Sequence, residues 1–115
     1  MVNLDQSRAK YVALLKEGLK ETTRRLFHLP EVKKIILFGS YCEGRRDLLT
    51  DLDILVVMET DEDFLTRMKR VYQVLDSKVD MDVLVYTPEE LKNIKRRGFI
   101  KKILREGKTI YERES

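Results

Sequence analysis

The sequence is poor in the residues that cross-link or interrupt a chain. Its one cysteine, Cys42, rules out an internal disulfide and a thiolate zinc site, and a reducing cytoplasm is the compartment to expect. Glycine and proline together number seven, and no internal repeat or low-complexity tract is present, so nothing reads as a disordered linker. The longest apolar run is five residues, 54–58, and the first residues carry no cationic leader, so neither a membrane span nor a secretory signal is expected. A strong excess of one charge is missing too. With 23 basic and 20 acidic residues the net charge is +3, too slight to imply nucleic-acid binding for the chain as a whole.

What the sequence does have is core-forming residues, 43% of 115, which suffice for one hydrophobic core and not for two. A single domain over 1–115 is expected, with an N-terminal helix over 1–29 and a core over 32–113. Its charge is unevenly placed. Residues 92–105 hold seven cations and no acid, whereas 59–63 hold four acids in five positions.

Over residues 5–28, Val12, Leu15, Leu19 and Leu26 recur at helical intervals, and Pro30 ends the pattern. Val32–Phe38 and Leu52–Met58 are apolar runs too short for helices and read as strands covered on both faces. Thr60 with Asp63 suggests a capping box for a helix running to about Asp76, and 79–86 reads as a third strand. Thr87-Pro88-Glu89-Glu90 is a second helix start, since Thr87 can cap, Pro88 lacks the amide that would go unsatisfied, and Glu90 can close the box. Gly98 should split the basic segment into two helices with Phe99, Ile100, Ile103 and Leu104 facing inward, before Gly107 and a last strand at 109–111. Strands alternating with helices give an α/β (mixed α+β) class, with a small mixed sheet of about four strands and helices packed against it.

The chemistry concentrates in two segments. Phe38-Gly39-Ser40 closes a buried strand with a turn that leaves amides and a hydroxyl free, which suits a phosphate. Asp51 and Asp53 lie two apart on one strand, so their carboxylates share a face, roughly 7 Å apart along it. Like charges at the mouth of an apolar strand are tolerated in solvent or around a shared cation, and oxygen ligands without His or Cys favour Mg²⁺ or Mn²⁺. A third acid, Asp80 or Asp82, arrives on the third strand. Three carboxylates converging from two strands can bind a pair of divalent ions, one activating a hydroxyl and the other holding a triphosphate.

Gly39-Ser40, ten residues, then Asp51-Leu52-Asp53 resembles the signature of the nucleotidyltransferase superfamily that includes DNA polymerase beta. Gly44 falls where that loop has its second glycine, and 82–90 and 99–113 resemble the third strand, following helix start and C-terminal segment of the minimal nucleotidyltransferases (MNT type). The resemblance implies that Gly39, Ser40 and Gly44 contact the nucleotide's phosphates and that Asp51, Asp53 and a third acid are the catalytic, metal-binding carboxylates. That acid is assigned to Asp82 over Asp80, because Asp82 precedes Val-Leu-Val-Tyr-Thr-Pro, the run that follows the family's third acid. Where members commonly have Ala-Arg before the second glycine this chain has Cys42-Glu43, so Arg45 or Arg46 would have to supply the missing positive charge.

By the same resemblance the chain is an ATP-using, Mg²⁺-dependent transferase of AMP to a hydroxyl of a partner protein, the antitoxin of a pair whose helical HEPN partner is an RNase toxin. A non-catalytic inhibitory or nucleic-acid-binding module of the same fold is the alternative. A homo-oligomer is left open. His28, at the end of the first helix, is read as a dipole partner or a solvent-exposed residue, and Cys42 as a small side chain in the loop. Tyr41 is left between stacking on a base and packing beside the loop.

Overall fold

The short apolar runs form one mixed sheet. In the computed structural model, which describes residues 3–75 and 78–113, β1 (Val32–Phe38), β2 (Leu52–Met58), β3 (Met81–Tyr86) and β4 (Lys108–Glu112) lie in the order β3-β2-β1-β4. β1 is antiparallel to β2 and β4, and β2 is parallel to β3. The helices are α1 (Leu4–Phe27), a single turn α2 (Gly39–Cys42), α3 (Phe64–Val74), α4 (Pro88–Ile94) and α5 (Gly98–Glu106). Among the described residues no helix is long and apolar enough to cross a membrane.

Alternation along the strands divides the core into two layers. Ile35, Leu37, Ile54, Val56, Val83 and Val85 pack with Leu26 of α1 and Val71 of α3. Ile36, Leu55 and Val57 pack with Ile100 and Ile103 of α5 and with Leu91 and Ile94 of α4. The sheet is thus covered on both faces, as its near-continuous apolar strands require. Gly18 lets α1 come close, since a Cβ there would stand 2.8 Å from Val79. Gly107 does the same where α5 returns to the sheet, with a would-be Cβ 2.5 Å from the Ile103 carbonyl.

The helix ends follow side-chain caps. The Asn3 side chain accepts from the Asp5 and Gln6 amides, starting α1 one residue before the expected position. At α4 both halves of the capping box form, with the Glu90 amide donating to the Thr87 hydroxyl and the Thr87 amide to the Glu90 carboxylate. Glu90 also receives Arg67, a buried arginine of α3, at 2.7 Å, which ties α3 to α4.

The structure departs from the expected elements at α3, β3 and Phe99. Asp63 alone caps α3, through the Thr66 amide, because the Thr60 hydroxyl is occupied with Glu62 instead. The described helix ends at Val74, and Asp76 lies outside the described residues. β3 begins at Met81 and not at 79, since Val79 turns into the α1 contact. Phe99 does not face inward: it is 61% exposed, whereas Ile100 and Ile103 are buried.

Candidate functional site

The site lies at the end of the sheet where β1 stops and β2 and β3 start. Phe38 leaves β1 extended, and Gly39 follows with φ +77°, a left-handed conformation that only glycine adopts without strain. A second constraint acts there. A Cβ on Gly39 would lie 2.2 Å from Oδ2 of Asp53, so the turn and that carboxylate fit together only because position 39 has no side chain. The Ser40 hydroxyl accepts from the Asp51 amide at 3.4 Å, linking the turn to the start of β2. Gly44 also has positive φ, +101°, in open space.

Between turn and strand, residues 45–50 hold themselves in shape. The Arg45 Nε donates to both Asp47 oxygens, at 3.0 and 2.8 Å, and this contact with the Leu49 amide keeps the Asp47 carboxyl below its ordinary range. Asp47 in turn accepts from the Leu49 amide and the Thr50 hydroxyl. Arg46 lies 3.6 Å over the Tyr41 ring and donates to the Tyr41 and Arg45 carbonyls. Both arginines next to Gly44 are therefore engaged within the loop. Tyr41 packs against the α1 side of the core with Arg46 over its ring, which resolves its two readings in favour of packing.

β2 and β3 run parallel in a register that sets Asp53 opposite Asp82. Both share the face of Leu55 and Leu84, the face covered by α4 and α5. Asp53 has its pKa pushed up to about 6, by partial burial first, then by the nearby Asp82 charge and a hydrogen bond with it, and then by Asp51. Asp80 precedes the strand, is exposed, and offers its backbone carbonyl to the Leu52 amide at 3.4 Å. The geometry thus brings Asp53 and Asp82 together, whereas the Asp80 charge acts on Tyr11 of α1.

Tyr11 was not singled out by the sequence. It reaches from α1 to donate its hydroxyl to the Thr50 carbonyl at 2.7 Å, one residue before Asp51. Burial and the Asp51 and Asp80 charges raise its pKa, so it stays a neutral donor. No sequence signal marks it, because a tyrosine on an amphipathic helix reads as core. His28, at the C-cap of α1, is exposed and takes no part in the site.

Among the described residues no three His, Cys, Asp or Glu side chains form a ready metal cluster. The donor chemistry nevertheless suits a hard divalent cation: carboxylates only, close enough to oppose one another's ionisation, a repulsion that a cation would relieve.

A mixed sheet ending in a glycine turn beside paired carboxylates is the arrangement of a nucleotidyl-transfer fold. Residues 18–115 match the family model "Polymerase beta, Nucleotidyltransferase", and the chain belongs to that nucleotidyltransferase family. Two proteins of Methanocaldococcus jannaschii, both provisionally named as protein adenylyltransferases, are similar to it. One is 35% identical over 70% of this chain and 79% of its own length, the other 30% identical over 66% and 92%. The crystal structure of a provisionally named nucleotidyltransferase from Sulfolobus solfataricus shares the fold, with TM-score 0.58 and 21% identity over 97% of this chain and 89% of that one.

Proposed function

We propose that the protein transfers AMP from ATP to a hydroxyl of a partner protein, with Asp51, Asp53 and Asp82 as the working carboxylates. The observation that carries this reading is the register pairing of Asp53 with Asp82 directly beside the glycine turn, with the proton affinity of Asp53 raised by burial and then by Asp82. The names of the two M. jannaschii relatives support a protein acceptor. The sequence resemblance to minimal nucleotidyltransferases supports a HEPN-type helical toxin as that acceptor and the cytoplasm as the place of action.

In the reaction the acceptor oxygen forms a bond to the α-phosphorus of ATP while the bond from that phosphorus to the bridging oxygen breaks. Pyrophosphate leaves with the electron pair. Gly39 and Ser40 line the path of the phosphates, with Gly44 giving the turn behind them its shape and Arg45 at its rim, and the Asp53–Asp82 pair takes the proton of the acceptor hydroxyl. Two Mg²⁺ ions, or Mn²⁺, held by Asp51, Asp53 and Asp82 would neutralise triphosphate charge and polarise the hydroxyl. The chain's own contribution is positioning, since it fixes the carboxylates to two hydrogen-bonded strands.

The experiment is transfer of α-labelled AMP to a co-expressed helical partner in the presence of Mg²⁺. Asp53→Asn and Asp82→Asn should each lower transfer by about a hundredfold or more, while Asp80→Asn retains most of it. Undiminished transfer by Asp53→Asn eliminates the mechanism, and loss in Asp80→Asn with retention in Asp82→Asn reverses the assignment of the third acid.

A further inference from the structure

Phe99 is the one residue of α5 whose aromatic side chain the fold leaves in the open. It sits on the first turn of the helix, 61% exposed, and its ring stands edge-on to Phe38 with centroids 5.8 Å apart at 82°. Phe38 is the register partner of Asp53 across β1 and β2, and its chain neighbour Gly39 lies against the same carboxylate. Phe38, Gly39, Cys42, Phe99, Lys102 and Ile103 line one shallow pocket, so its wall joins the glycine turn to the exposed ring without a break. Core packing does not explain the exposure, because Ile100 and Ile103 already fill the space against the sheet. Nor is Tyr41 free to serve as a platform in this part of the site, since Arg46 covers its ring.

We propose that Phe99 is the platform on which the nucleobase of the triphosphate substrate stacks, in the pocket that opens beside Gly39. This rests on the nucleotide-transfer reading and adds to it the subsite for the base. The T-shaped contact with Phe38 holds the Phe99 ring in place, and its exposure leaves ring surface open to a flat π-system, a contact aromatic rings favour. Stacking of this kind is tolerant of base identity, because every base presents a π-face. Lys102, which pairs loosely with Glu106 at 4.0 Å, stands at the rim where a base or ribose would offer acceptors.

The test uses the whole chain with Mg²⁺ and two probes, ATP and inorganic tripolyphosphate, the second having phosphates and no base. Phe99→Ala should weaken ATP binding about tenfold and leave tripolyphosphate binding unchanged. The protein has no tryptophan, so Phe99→Trp installs a single tryptophan at the site, which can be excited apart from the tyrosines. Its emission should change on adding ATP and not on adding tripolyphosphate, and ATP affinity should be kept. Equal ATP affinity in Phe99→Ala and the parent, or an unresponsive Phe99→Trp that still binds ATP, overturns the stacking proposal alone. Failure of the parent chain to bind either probe sinks the nucleotide-transfer reading together with it. Weaker capture of a protein partner by Phe99→Ala, with ATP binding untouched, would assign the ring to docking and likewise overturn the proposal.

Discussion

At Asp53 a backbone constraint and an electrostatic one meet on a single side chain. Glycine is needed at position 39 to make room for its carboxylate, and partial burial, with Asp82 and Asp51 close by, opposes its ionisation. Its proton is held more tightly in the folded chain, up to about 6, than in the unfolded one, where the ordinary value is 3.8. This group therefore favours folding fully below about pH 4 and loses that contribution as the pH rises through about 6. At neutral pH the ionised carboxylate weighs against the fold. Asp53→Asn should accordingly stabilise the metal-free protein at pH 7, by about 1 kcal/mol once solvent screening of a partly buried group is allowed for. Thermal unfolding measured from pH 4 to pH 7 without divalent ions checks this. The parent should lose stability relative to the variant as the pH rises, and a variant less stable than its parent at pH 7 would show that the three carboxylates do not repel one another.

Elements, unlike single side chains, are positioned by contacts that lie far apart in sequence, and α1 is an instance. Its amphipathic pattern was legible, but its role in holding the loop before Asp51 was not. That role depends on where the helix lands, which Gly18 against Val79 decides. Tyr11→Phe removes the hydrogen bond to the Thr50 carbonyl and should cost about 1 kcal/mol of stability. Transfer should also fall severalfold with little change in KM for ATP, because the bond acts on the backbone entering Asp51 and not on the phosphate turn. Unfolding midpoints and initial rates for the two proteins separate these effects, and an unchanged rate would leave Tyr11 a purely structural contact. The two capped helix starts divide in the same way. That of α4 could be read directly, since every group of the Thr87 capping box is local. That of α3 could not, since the sequence read Thr60 and Asp63 as the two halves of one capping box, and only the structure shows Thr60 occupied with Glu62 and Asp63 as the cap. Phe99 was misread for a related reason: helical spacing allowed it on the apolar stripe, but Ile100 and Ile103 take the buried positions of α5 and Phe99 turns its ring to Phe38 instead. That Asp51 lies near Asp53 was legible from their spacing, although Asp51 stands one residue before β2, whereas the pairing of Asp53 with Asp82 needed the β2–β3 register.

For the molecule as a whole, the near-zero balance of charge hides a polar division. The α4–α5 side presents Lys92, Lys95, Arg96, Arg97, Lys101, Lys102 and Arg105, all exposed, and of these Lys102 and Arg105 lie near Glu106. For the other five no ion pair is found among the described residues. The same helices cover the face of the sheet that carries Asp53 and Asp82, so a partner docking on them is brought near the carboxylates. Such a cationic surface fits an acidic protein better than a nucleic acid, because along this stretch only Phe99 offers a stacking ring and the loop aromatic Tyr41 is covered by Arg46. Replacing Lys95, Arg96 and Lys101 together with Glu should slow association with an acidic helical partner, mainly through the on-rate, by about tenfold or more at low salt. Nucleotide binding should change little, since none of the three lines the pocket beside Gly39. Association kinetics at two salt concentrations provide the measurement, with the difference between parent and variant shrinking as salt rises. Tight RNA binding by the parent, with log affinity falling steeply against log salt and lost in the triple variant, would assign this face to phosphate backbones instead.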